Sequence, residues 1–79
     1  MNRQKVIERL LSPNPPKELR VDVVLGIYLN DLGWTYRKKV GSHHQLTKPG
    51  YRTEVVTEHG NKVGEEVIRK LIVHLKAGQ

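Results

Sequence analysis

Cysteine is absent from this 79-residue chain, so neither a disulfide framework nor a thiolate metal site is open to it. A domain this small buries a modest share of its surface and usually leans on a disulfide, a metal or a partner. A cysteine-free chain suits a reducing compartment, and the cytoplasm is the expected location. Long apolar runs are also missing, and with them any expected membrane-spanning helix. The start, Met1-Asn2-Arg3-Gln4-Lys5, is basic in the manner of a signal peptide. Glu8 and Arg9 interrupt the apolar stretch that should follow, so no signal is expected. The chain has no phosphate-cradling glycine loop, no Gly-x-Ser-x-Gly elbow and no internal repeat.

Acidic residues are missing from one segment in particular. The chain carries 14 Lys and Arg against 8 Asp and Glu, a net charge of +6. Residues 33–53 hold no Asp or Glu but contain Arg37, Lys38, Lys39, Lys48 and Arg52, and the rest of the chain is nearly balanced. A surplus confined to one segment reads as the footprint of a polyanion, with RNA as the expected partner. The competing explanation is a solvated face that keeps the protein soluble.

Asn2 is placed to cap a first helix whose stripe is Val6, Ile7, Leu10 and Leu11. Pro13, Pro15 and Pro16 end it near Ser12 and stiffen the connector to residue 17. A second helix is expected from residue 18 or 19 to 32, with Val21, Val24, Leu25, Tyr28 and Leu32 on one face and Gly33 as its stop. The valines make a buried strand over 19–25 the competitor. Strands are expected at 34–40, 43–48 and 52–57, separated by turns at Gly41-Ser42 and Pro49-Gly50. A loop is expected at 59–62 and a last helix at about 65–76, with Val67, Ile68, Leu71, Ile72 and Leu75 inward. The fold class is therefore α+β, a three-stranded antiparallel sheet with helices on one face. Residues 1–17 form an added helix and linker, and residues 18–79 an α-β-β-β-α domain.

Side chains alternate along a strand, so Leu46 turned inward takes His44 with it and leaves His43, Gln45 and Thr47 on the open face. Trp34 and Tyr36 inward would place Arg37 and Lys39 beside them. In the third strand Val55 and Val56 compete for the core. His43 then reads either as a polar strand residue or as a proton carrier beside cations. Histidine ordinarily titrates at roughly 6.5, so it can exchange protons near neutrality. Such a group can take the 2′-OH proton of RNA while Arg or Lys offsets the charge on the phosphate. His44 is expected to be partly buried with a hydrogen-bond partner, and His74 to be structural. His59 sits in a loop, where functional residues often lie. His43 and His44 point apart and no ligand spacing is evident, so no metal and no cofactor is expected.

Leu29-Asn30-Asp31-Leu32-Gly33-Trp34, followed by Arg37-Lys38-Lys39-Val40-Gly41-Ser42-His43-His44, resembles the HicA (YcfA-like) family. The ordered set continues through a glycine turn, a third strand, the late His59 and a closing helix, about three quarters of the chain. The resemblance implies a fold like the double-stranded-RNA-binding domain. It implies a ribosome-independent mRNA interferase with His43 as its catalytic residue, held inactive by a HicB-like antitoxin. Arg37, Lys38 and Lys39 would anchor phosphates, Lys48 and Arg52 would extend the RNA contact, and Ser42 and Gln45 would position the strand. His59 would be an accessory proton carrier. Val40 stands where members usually carry Lys, and Thr57 where many carry Pro. The first helix lies outside the family core, and extra packing, a homodimer or a partner contact would account for it. Two other functions fit the same residues: RNA binding without cleavage, and a protein-interaction domain with a basic face.

Overall fold

Asn2 begins the fold by accepting the Gln4 amide on its side chain at 2.9 Å, which caps α1 (Arg3–Leu10). The structure, a computed structural model, describes residues 2–78. Val6, Ile7 and Leu10 of α1 are buried in the same core as the later helices and the sheet. Of the uses open to this helix, its stripe takes extra packing, spent on the chain's own interior. Arg3 also reaches Asp31 at 2.9 Å, an exposed pair that adds little energy but fixes orientation. Its stem crosses Gly26, where an added Cβ would stand 3.2 Å from Arg3 Cδ.

The second helix departs from expectation at its start and in the winding of its second half, and ends at Leu32 before Gly33 as expected. Leu19–Arg20 is a short strand, β1, and α2 covers only Val21–Gly26. The Val21 amide donates to the Asn61 carbonyl at 2.8 Å, so the entry from the proline connector stays extended. Past Gly26 the chain continues as a wider π turn, Ile27–Asp31, closed by Leu32 N–H on the Ile27 carbonyl at 3.0 Å. The Asn30 side chain takes the Gly26 carbonyl at 3.1 Å. Gly33, with φ of 77°, then turns the chain into the sheet.

The main sheet comprises β2 (Thr35–Val40), β3 (His43–Thr47) and β4 (Glu54–Thr57), antiparallel in that order. Trp34 is buried just ahead of the first strand, and Arg52 precedes the third rather than joining it. Gly41 has φ of 61° and Ser42 a negative φ, the two-residue turn that needs glycine first. Pro49-Gly50 forms the other turn, with Gly50 at φ 86° and Tyr51 N–H on the Lys48 carbonyl at 3.1 Å. The expected loop at 59–62 is instead a tight turn into β5 (Lys62–Val63), which pairs with β1. The last helix, α3 (Glu65–Ala77), buries Val67, Ile68, Leu71 and Leu75.

Leu46 and Val56 are fully buried and His44 nearly so, so Val56 rather than Val55 takes the core position. The register sets Leu46 opposite Glu54, His44 opposite Val56, Gln45 opposite Val55 and His43 opposite Thr57. Between β2 and β3 the register shifts between Tyr36 and Lys38, which leaves Arg37 as an extra, unpaired residue. Alternation therefore flips past Arg37. Lys38 stands opposite Gln45, Lys39 opposite His44 and Val40 opposite His43. Lys38 and Val40, not Arg37 and Lys39, share the face of His43. Among the described residues no helix is long and apolar enough to cross a membrane.

Candidate functional site

His43 opens β3 directly after the Gly41-Ser42 turn and is exposed. Its position is fixed from both neighbouring strands. Val40 faces it from β2 and Thr57 from β4, and the ladder is extended by Glu58 N–H on the Ser42 carbonyl at 2.9 Å. Nδ1 of His43 is 3.0 Å from Thr57 Oγ1. Nε2 has no hydrogen-bond partner among the described residues and is free to exchange a proton with a ligand.

The expected RNA contacts divide into two groups. Lys38 is exposed on the His43 face, and Arg37 is exposed at the bulge beside it. Arg52 is exposed in the connection before β4, Ser42 is exposed in the turn, and Gln45 is half-buried next to His43 on the strand. None of these cations forms an ion pair among the described residues, so each is available to a phosphate.

Lys39 and Lys48 are committed elsewhere. Lys39 Nζ lies 2.9 Å from Glu58 Oε1, on the side of His44. Lys48 Nζ donates to the Leu32 carbonyl at 2.7 Å and sits over the Tyr51 ring, 5.4 Å from its centroid. Leu32 closes the helical segment, whose last carbonyls lack intrahelical donors, so Lys48 serves as a cap. Alternation over 34–40 missed the bulge, which is why Lys39 was expected beside His43.

His44 is the buried counterpart of His43. Nδ1 is 2.9 Å from the Tyr36 hydroxyl and Nε2 is 2.7 Å from Glu58 Oε1. Lys39 first and His44 second hold the Glu58 carboxyl below its ordinary range. This chain of four groups ties all three strands together at the hairpin end. His74 is likewise bonded, with Nε2 2.7 Å from Glu54 Oε2 and its ring 4.9 Å from that of Trp34. Both imidazoles are structural parts of the interior.

His59 is exposed at the corner of the β4–β5 turn, where its backbone pairs with Lys62. It lines a cleft of about 360 Å³ together with Val55 and Thr57 of β4 and Glu66, Val67 and Lys70 of α3. Thr57 belongs both to this cleft and to the His43 contact, while the His43 ring does not line the cleft. Thr57 and Glu58 escaped the sequence reading. Thr57 could have been found once Val56 was assigned inward, because that choice turns Thr57 toward His43. Among the described residues no three His, Asp or Glu side chains stand close enough to share a metal ion.

Comparisons with models of known protein families, with curated proteins and with solved structures find no match to this chain.

Proposed function

We propose that this chain binds RNA through the outer face of its sheet and cleaves it with His43, as a HicA-like toxin. The observation that carries the proposal is the exposed imidazole of His43, tethered at Nδ1, free at Nε2 and sharing its face of the sheet with the unpaired Lys38. Two features also fit. The order of helix, three antiparallel strands and helix agrees with a fold akin to double-stranded-RNA-binding domains. The basic segment 33–53 supplies the long-range attraction for a polyanion.

In the proposed reaction Nε2 of His43 accepts the proton of a ribose 2′-OH. The freed oxygen attacks the adjacent phosphorus, and the bond to the 5′-oxygen of the next nucleotide breaks. That oxygen leaves with a proton returned by the imidazolium or taken from water. The products are a 2′,3′-cyclic phosphate and a 5′-hydroxyl. Lys38, on the face of His43, offsets the charge that builds on the phosphoryl oxygens. A HicB-like antitoxin with an acidic surface would cover this face, and the cytoplasm would be its place of action.

RNA binding without cleavage has one observation in its favour. Val40, opposite His43, is 51 % exposed and apolar where the resemblance expects a lysine. The two are separated by incubating the parent protein and a folded His43→Ala variant with a long RNA in EDTA. Cleavage by the parent alone supports the proposal. Intact RNA in both reactions, with binding retained, leaves a binding module.

A further inference from the structure

An exposed histidine ordinarily has a freely turning ring and two interchangeable nitrogens. A hydrogen bond to one nitrogen fixes the ring and decides which nitrogen meets the ligand. We infer that Thr57 is a positioning residue that holds the His43 ring by Nδ1 and presents Nε2 to the RNA, an inference that rests on the nuclease proposal above.

The geometry assigns this role to Thr57 alone. His43 has two cross-strand neighbours, Val40 and Thr57, and Val40 has no polar atom to offer. Thr57 Oγ1 stands 3.0 Å from Nδ1, which is hydrogen-bonding distance. The hydroxyl is itself well anchored. Thr57 is β-branched, so its χ1 has few options, and the next backbone group, Glu58 N–H, is bonded to the Ser42 carbonyl at 2.9 Å.

The partner's chemistry separates His43 from two other histidines of the chain. His44 and His74 each hold a carboxylate, Glu58 and Glu54, at 2.7 Å. A carboxylate would bring a negative charge up to the ring and to the approaching phosphate. The Thr57 hydroxyl orients His43 without adding any charge.

The test uses Thr57→Val, which keeps the branched shape and loses the hydroxyl, and Thr57→Ser, which keeps the hydroxyl. Imidazole nitrogen NMR spectra of the free protein read the contact without RNA. The His43 Nδ1 signal should carry a hydrogen-bond shift in the parent and in Thr57→Ser and lose it in Thr57→Val. With RNA, Thr57→Val should lower kcat about tenfold with KM unchanged, and Thr57→Ser should restore most of the loss. Identical nitrogen spectra in parent and Thr57→Val would overturn the inference. So would an unchanged kcat, or a loss confined to KM. RNA left uncut by the parent would remove the nuclease proposal and the kinetic role with it, while the spectra would still decide whether Thr57 holds the ring.

Discussion

Lys39 is joined to Glu58 by an ion pair of 2.9 Å, and the same carboxylate oxygen lies 2.7 Å from Nε2 of His44. This lysine is a strut between β2 and the end of β4, whereas its neighbour Lys38 stands free on the outer face. Adjacent cations in one strand thus have separate tasks.

A consequence concerns RNA affinity and its dependence on salt. Lys38→Ala should weaken binding across RNA sequences and reduce the slope of log K against log salt by about 1. Lys39→Ala should leave that slope nearly intact and lower the urea midpoint instead. Fluorescence titrations at several salt concentrations, with urea melts of both variants, check the pair. Equal slopes for the two variants would contradict the division.

The Glu58 carboxyl titrates below its ordinary range because Lys39, and then His44, favour its charged form. The folded state therefore binds this proton less readily than the unfolded chain. The stability gained is fully present above the ordinary glutamate range, about pH 4.3, and is lost as pH falls toward the lowered native value. Urea unfolding of the parent and Glu58→Gln should show a gap at pH 7 that narrows below about pH 4. A gap that stays constant down to pH 3 would show that the lowered carboxyl makes no contribution.

Leu10 is 1 % exposed and belongs to the common core, so α1 is part of the folding unit. Leu10→Ala should cost about 3 kcal/mol in urea unfolding, in the range found for buried leucines. A loss below about 1 kcal/mol, well short of that range, would mean that α1 is a dispensable appendage.

The parts of this fold that local patterns specify were legible in the sequence. The helical stripe of α3 and the inward pair His44 and Leu46 follow from spacing alone, and so does the outward turn of His43. The bulge at Arg37 left no such trace. All six residues of β2 are exposed, so no apolar row marks the register, and a slip by one residue changes nothing that patterning can detect. The β1–β5 ladder is two residues long and joins segments far apart in sequence, beyond the reach of local propensity. Tertiary pairing also overrode the helical reading of Leu19 and Arg20. The duties of Lys48 and Lys39 depend on carboxylate and carbonyl partners that only the assembled structure brings near.

The most direct test is the single-turnover cleavage rate of a long RNA in EDTA at saturating protein, parent against His43→Ala. Loss of the proton carrier should slow cleavage by about 10²-fold or more, with RNA affinity within about twofold of the parent. Equal rates for the two proteins, or no cleavage by the parent, would contradict His43 as the group that does the chemistry.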